Sequence, residues 1–179
     1  MKPALVWLFP AIFLIHDGEE AFTMVAWVRA HHDLLARVAG LNPVAARIVA
    51  NMPVNQAAVV AAIGFELLIA LAATIVLDRA LRVTPVPRAP LYVYSVALAA
   101  YVIHVISHVG QTLALRAYTP GVFTATLVVP AAGGYLFSRL LEAGLLNRRQ
   151  ALISAAVGVL SILPIVATAH LVGRTLFPG

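Results

Sequence analysis

The chain has 179 residues, of which 62% are hydrophobic and 11% are charged, and its formal net charge is +5. Soluble domains contain about 45–50% apolar and about 25% charged residues, so this composition is typical of an integral membrane protein. The absence of cysteine excludes disulfides, zinc–thiolate sites and thiol nucleophiles. Lys and Arg do not cluster with aromatic residues, so we expect no nucleic-acid partner and place the basic residues in loops near lipid headgroups.

The first apolar segment, Ala4 to Ile15, is followed directly by the sequence HDGEE, residues 16–20. As a helix that segment reaches about 18 Å, which is too short for a hydrocarbon core of about 30 Å. We therefore predict that the helix continues to about Val28, with bends at Pro10 and Gly18, and places HDGEE inside the membrane. Because HDGEE stands where a signal peptide would have a small-residue cleavage site, we expect the segment to be retained.

Residues 29–55 alternate apolar side chains with Arg and His, which predicts an interfacial helix pair or a re-entrant cap. Four long apolar segments follow, and each can cross a bilayer as a helix. We predict an all-α, membrane-embedded bundle of about five spans that forms a single domain. The predicted spans are residues 4–28, 56–78, 91–115, 122–141 and 151–172. Lys and Arg are more frequent on the N-terminal side of these spans, which favours a cytoplasmic N-terminus.

Two predicted spans carry chemically active side chains at helical spacing. His16, Glu19 and Glu20 stand at i, i+3 and i+4 and share one helix face, whereas Asp17 points elsewhere. His104 and His108 repeat the i, i+4 pattern in the third span. Imidazole and carboxylate groups together are ligands for Zn, Fe or Mn, so we predict one or two divalent ions here. The proposed metal ligands are His16, Glu19, Glu20, His104 and His108.

Depth in the membrane supports a common site. His16 lies twelve residues after Ala4, His104 thirteen after Leu91, and Glu66 ten after Gln56. A charge at mid-membrane costs at least about 2.5–3.5 kcal/mol unless it is paired, so such residues usually mark function. Metal coordination or shared protons would relieve the repulsion and desolvation of the gathered groups. Glu66 and Glu20 are the candidate catalytic residues.

Four further residues are candidate accessory residues. Tyr101 and Gln111 extend the face of His104, and Asn55 falls on the face of Glu66. His170 lies deeper in the last span, where we expect it to line an entrance or to pack by hydrogen bonding. Simpler interpretations stay open for the main groups: HDGEE as a solvated interfacial turn, the second histidine pair as an interhelical hydrogen bond, and Glu66 as a protonated acid bonded to a neighbouring helix.

The stretch WLFPAIFLIHDGEE, with His16, Glu19 and Glu20, resembles the HXXEE-domain family of small bacterial membrane proteins, and HVISH is similar to the later histidines of that family. The resemblance covers nearly the whole chain in the layout of its spans. It implies a multi-pass protein of the bacterial inner membrane that binds metal and acts as an enzyme of unsettled reaction. It carries metal-binding roles to His16, Glu19, Glu20, His104 and His108.

Three functions follow as hypotheses. The first is a membrane metalloenzyme that activates water or dioxygen and takes a lipid, isoprenoid or other apolar small molecule from the bilayer. The second is a metal-free acid/base isomerase or cyclase, in which His16, a glutamate and Glu66 move protons. The third is a metal or proton transporter, against which the lack of an internal repeat argues. The sequence leaves the reaction and the oligomeric state open.

Overall fold

A computed structural model describes residues 1–52 and 54–178. All regular secondary structure in this part of the chain is helical, which confirms the predicted all-α class. A 3₁₀ turn at Pro3–Trp7 leads into α1. The α-helices are α1 (Leu8–Ala30), α2 (His32–Ala39), α3 (Pro43–Ala50), α4 (Gln56–Ala80), α5 (Arg88–Leu115), α6 (Val122–Leu127), α7 (Val129–Glu142) and α8 (Arg148–Leu176).

The prediction that the first helix runs through HDGEE is confirmed, because α1 is continuous from Leu8 to Ala30. Neither Pro10 nor Gly18 interrupts it, since Pro10 lies in the first turn, where a missing N–H costs little. The helix ends at His31, whose ring stacks on Trp27 with 4.4 Å between ring centroids and whose Nδ1 lies 2.9 Å from the Trp27 carbonyl oxygen. With 23 residues, α1 is about 34 Å long.

The segment after α1 forms the predicted pair of short helices, α2 and α3, which pack against each other. The fourth predicted span is interrupted at Val128, between α6 and α7. Pro130 explains the interruption, because a proline in the second position of α7 has no N–H for the carbonyl four residues earlier. The side chains of Asn55 and Asn147 cap the first turns of α4 and α8 and so set where these long helices begin.

The long helices α1, α4, α5 and α8 pack side by side, with α7 against α1 and α5. Small residues permit the closest approach: a Cβ added at Gly158 of α8 would lie 2.7 Å from the backbone nitrogen of Ala100 on α5. The core between α1, α4, α5 and α7 is apolar and aromatic. Its centre is Tyr94, which is fully buried and donates a hydrogen bond of 3.0 Å to the carbonyl oxygen of Val6.

The outward faces of the long helices are also apolar. Leu68 on α4, Ile106 on α5 and Leu160 on α8 are all exposed, at 65%, 70% and 77%. Contiguous apolar surface of this kind is typical of a lipid-facing helix. Three helices, α4, α5 and α8, are long and apolar enough to cross a membrane. This is compatible with a membrane location, and the remaining two predicted spans stay predictions.

Candidate metal centre

Two histidines and one glutamate from α1 and α5 converge inside the bundle. His16 and Glu20 are one turn apart on α1, and His108 faces them from α5. One ligand atom of each of the three lies within 4.8 Å of the others. The rings of His16 and His108 meet nearly at right angles, with centroids 4.8 Å apart, and both side chains are buried. This cluster is hereafter called the His16–Glu20–His108 triad.

The surroundings of His108 determine which ring nitrogen is free. Its Nδ1 lies 3.1 Å from the carbonyl oxygen of Pro120, which can only accept, so Nδ1 carries the proton. Its Nε2 is buried and has no hydrogen-bond partner among the described residues, although Glu20 Oε1 lies 3.2 Å away. The imidazole lone pair and the carboxylate therefore face each other, an arrangement that a cation between them stabilises.

His16 is oriented through Thr124 of α6. The Thr124 hydroxyl lies 2.6 Å from Glu19 Oε2, to which it donates, and 2.9 Å from His16 Nδ1. Because the hydroxyl gives its single proton to the carboxylate, it accepts from the Nδ1–H of His16. Nε2 of His16 is therefore the nitrogen left with a lone pair. Both histidines thus offer Nε2 as a ligand, with Nδ1 held by an oxygen, as is usual at protein metal sites.

Glu19, which we predicted as a ligand, lies outside the triad and holds α6 and the preceding loop. It accepts from the backbone N–H of Thr124 at 3.0 Å, from the Thr124 hydroxyl, and from the Tyr118 hydroxyl at 2.5 Å. Partial burial and the hydrogen bond to Glu19 both raise the pKa of Tyr118 above its usual value. The Tyr118 phenol therefore stays protonated at neutral pH and remains a donor to Glu19.

A glycine closes the triad from the loop side. Gly121 has φ +80°, in the left-handed region, and caps the start of α6. A Cβ at this position would lie 2.8 Å from Glu20 Oε1 and 2.9 Å from His16 Cε1. The space beside His16 and Glu20 therefore exists because residue 121 has no side chain.

A second set of polar side chains lines a cavity next to the triad. Asp17 and Glu66 carry its carboxyl groups, and Tyr101 and His104 complete its polar wall. The cavity measures about 70 Å³ and lies between α1, α4, α5 and α8. The Tyr101 hydroxyl lies 3.2 Å from Asp17 Oδ2 and 3.1 Å from the Ile12 carbonyl oxygen. The ring of His104 lies 4.8 Å from that of His108, so the cavity borders the triad.

The comparison with protein families assigns the chain. The family described as "Protein of unknown function with HXXEE motif" matches residues 7–135. The chain belongs to the HXXEE family. Comparisons with curated proteins and with solved structures found no match. The matched region contains the whole triad, all the residues that orient it, and the polar wall of the cavity.

Each side chain of the HXXEE motif now has a place in the structure. His16 and Glu20 belong to the triad, and Glu19 orients Thr124. Asp17 points away from the triad, as its spacing indicated, but into the cavity, where it is 6% exposed. We had not predicted a role for Asp17, and the signal that could have revealed one is a carboxyl group inside an apolar span, on the face of the helix next to that of His16 and Glu20.

The other predicted site residues divide between the cavity and the surface. Glu66, Tyr101 and His104 line the cavity, and His104 is not a member of the triad. Asn55 caps α4 and donates from Nδ2 to the carbonyl oxygen of Phe177. Gln111 is exposed on α5. His170 is half-buried on α8, away from both groups.

Sequence reasoning missed Tyr118, Gly121 and Thr124. Tyr118 and Gly121 lie in the loop after α5 and Thr124 lies in α6, and we predicted no role in the site for any of them. These residues reach the site because the loop after α5 folds back over α1, where Trp27 Nε1 donates to the Tyr118 carbonyl oxygen at 2.5 Å. No spacing within one helix signals such a contact.

Proposed function

We propose that the protein is a membrane-embedded, metal-dependent enzyme whose ion is held by His16, Glu20 and His108. The observation that carries this proposal is that both histidines have Nδ1 beside an oxygen, which leaves Nε2 with the lone pair, and that His108 Nε2 lies 3.2 Å from Glu20 Oε1 within a cluster of three possible ligands. Three protein ligands leave a coordination position open for water or substrate. Such a donor set is typical of catalytic zinc sites and of non-haem iron oxygenases.

The chemistry of the donors selects among metals. Two imidazoles and one carboxylate, without thiolate, suit Zn, Fe or Mn. When bound, the ion supplies an activated water for hydrolysis or a site for dioxygen. The buried position of His16 and His108 keeps bulk water from the open position. The Thr124 and Pro120 oxygens hold the two rings in one orientation, which lowers the reorganisation that binding requires.

The cavity supplies proton-transfer groups beside the ion. Glu66 lines it from α4, and we propose Glu66 as the general base, with Glu20 contributing charge from the triad side. The Asp17–Tyr101 pair is positioned to hold or pass a proton at the Tyr101 hydroxyl. We propose that the substrate is lipid-like or isoprenoid and enters from the bilayer, consistent with three apolar helices that could span it.

The location follows from the same surfaces. We propose a multi-pass protein of about five spans in the bacterial inner membrane. Support comes from the exposed apolar faces of α4, α5 and α8 and from the length of α1, which is sufficient to cross a bilayer. The carboxyl groups of α1 lie on the sides that face the bundle rather than on its outer surface, as is usual for charged groups inside a membrane.

A second candidate function is a metal-free acid/base isomerase or cyclase. The observation that favours it is the cavity itself, where Asp17, Tyr101 and Glu66 form an acid/base set without help from the triad. In that function the triad would hold a shared proton between Glu20 and His108 instead of an ion.

Elemental analysis of detergent-purified protein tests the proposal. We expect about one equivalent of Zn, Fe or Mn in the wild type, since the triad is one three-ligand site. His108→Ala and Glu20→Gln should lose it, whereas His104→Ala and His170→Ala should keep it. Absence of metal from the wild type after loading with each ion would reject the metalloenzyme and favour the acid/base alternative. Loss of metal in His104→Ala but not in His108→Ala would contradict the assigned ligands.

A further inference from the structure

The cavity beside the triad adjoins a larger apolar groove between α4, α5 and α8. The groove measures about 550 Å³ and shares Ile69, Ala97, Ala100 and Ile165 with the cavity. The shared residues form a common wall, so the two spaces lie next to each other. A molecule that occupied both spaces would follow a path from the outer surface of the bundle to the neighbourhood of the triad.

The walls of the groove suit a hydrocarbon chain. Most of the lining side chains are Ala, Val and Ile, and small alanines leave the space that larger residues would fill. Ala72, Val76 and Val93 are exposed at its outer part, on faces that we expect to meet lipid. Along α4, Val76 lies ten residues from Glu66, which corresponds to about 15 Å of helix. A chain in the groove would therefore extend from the lipid phase to the polar wall.

The polar wall at the inner end of this path determines which kind of substrate head group can bind. Asp17 and Glu66 present two carboxyl groups, and among the described residues no Lys or Arg lines the cavity. A phosphate or carboxylate head would find no cation to pair with there, which is unfavourable in a low-dielectric site. A hydroxyl or amino group would instead donate hydrogen bonds to the carboxyl oxygens. The volume of about 70 Å³ admits only a small head.

We propose that the substrate is a single-chain amphiphile whose small head donates hydrogen bonds, a long-chain alcohol or amine. The chain lies in the groove between α4, α5 and α8, and the head lies at Asp17 and Glu66. This inference rests on the proposed function and names its substrate class. The head then borders the triad, because Tyr101 contacts the His16 ring and His104 contacts the His108 ring at centroid distances of 5.7 Å and 4.8 Å.

Photo-crosslinking of the metal-loaded protein in nanodiscs tests this class. The probe is dodecan-1-ol with a diazirine on its chain, and the competitors are dodecylamine and dodecyl phosphate, which differ only in the head. We expect crosslinks to map to the groove walls on α4 and α5. We also expect dodecylamine to reduce them at least tenfold and dodecyl phosphate to leave them unchanged.

Two tryptophan variants separate the groove from the rest of the lipid-facing surface. Ala72→Trp places a bulky ring at the outer groove and should reduce crosslinking at least tenfold. Ala156→Trp, at an exposed position of α8 that lines neither space, is the matched control and should match the wild type. Crosslinks spread evenly over exposed faces, or equal competition by dodecyl phosphate, would overturn the inference whether or not the variants fold.

Metal content measured on the same samples distinguishes the two proposals. Stoichiometric metal with no groove labelling would overturn the substrate class and leave the metalloenzyme standing. Groove labelling in a protein that cannot be loaded with metal would support the substrate class and reject the metalloenzyme. Glu66→Gln should weaken competition by dodecylamine more than tenfold relative to the wild type while metal content stays unchanged, because Glu66 lies outside the triad.

Discussion

The hydroxyl of Thr124 lies between His16 and Glu19, 2.9 Å from His16 Nδ1 and 2.6 Å from Glu19 Oε2. This contact joins the histidine and the first glutamate of the HXXEE motif through a residue more than a hundred positions later in the chain. Glu19 therefore contributes to the orientation of His16 although it lies outside the triad. The carboxylate fixes the hydroxyl, and the hydroxyl fixes the imidazole.

Thr124→Val should therefore weaken metal binding although it removes no ligand. Partners that orient a ligating histidine typically contribute about 10–100-fold in affinity, and we expect a loss in that range. Thr124→Ser keeps the hydroxyl and should restore most of the affinity. Competitive metal titration with a chromogenic chelator measures both. Thr126→Val is the control, because Thr126 donates to its own helix at Val122 and faces away from the triad. Equal affinities of Thr124→Val and wild type would contradict the orienting role.

Gly121→Ala should damage the site more severely than the addition of one methyl group suggests. The added Cβ would approach Glu20 Oε1 to 2.8 Å and would also hold an L-residue at φ +80°, which costs about 1–3 kcal/mol. We expect lower thermal stability and loss of stoichiometric metal. Gly134→Ala on α7 is the matched control, since a Cβ there meets nothing within 4 Å. The comparison uses thermal unfolding in detergent with elemental analysis. Retained metal in Gly121→Ala would show that the loop can move away from the triad.

Trp27→Phe should loosen the loop that carries Pro120 and Gly121. The indole N–H donates to the carbonyl oxygen of Tyr118, and Trp27 is 7% exposed, so the variant loses a part-buried hydrogen bond but keeps an aromatic ring. A buried acceptor without its donor costs about 1–3 kcal/mol. Hydrogen exchange should increase in residues 116–122 and stay unchanged in α4. Trp7→Phe is the control, since its indole bond to Asp78 is long, at 3.4 Å, and exposed. Unchanged exchange in the loop would show that Trp27 does not anchor it.

Much of the architecture was predictable because it depends on local properties. Apolar length and the need to satisfy backbone groups in lipid predicted α4, α5 and α8 within a few residues, and the polarity of HDGEE did not end α1. The interruption at Val128 escaped prediction because Pro130 lies inside an otherwise uniform apolar run. The missing N–H of Pro130 interrupts the helix there, although the hydropathy of the run predicts that the helix continues.

The site was predictable only as far as helix periodicity reaches. The i, i+4 spacing placed His16 with Glu20 and made His108 a candidate, and the structure brings these three together. Spacing could not distinguish Glu19 from Glu20, because the two point to either side of the direction of His16. It could not distinguish His104 from His108, because they lie one turn apart on the same face. The difference arises from the loop after α5, whose Pro120 oxygen and Thr124 hydroxyl reach His108 and Glu19. Such long-range contacts leave no periodic pattern.

The buried hydroxyl pair between α5 and α8 offers a measure of what holds α8 to the bundle. Ser95 Oγ and Ser154 Oγ lie 2.8 Å apart and both side chains are fully buried. A double-mutant cycle of Ser95→Ala and Ser154→Ala should give a coupling of about 0.6 kcal/mol, the average for interhelical hydrogen bonds in membranes. The value is small because Ser95 also lies 3.2 Å from the Tyr92 carbonyl oxygen and keeps that partner when Ser154 is removed.

By contrast, Gly158→Leu should separate α5 from α8 and reduce stability by several times the coupling of the two serines, because the leucine side chain would collide with the backbone of Ala100. Unfolding in mixed micelles measures both. If the coupling energy of the two serines exceeded the loss of stability in Gly158→Leu, polar contact, rather than close packing of small residues, would join the two helices.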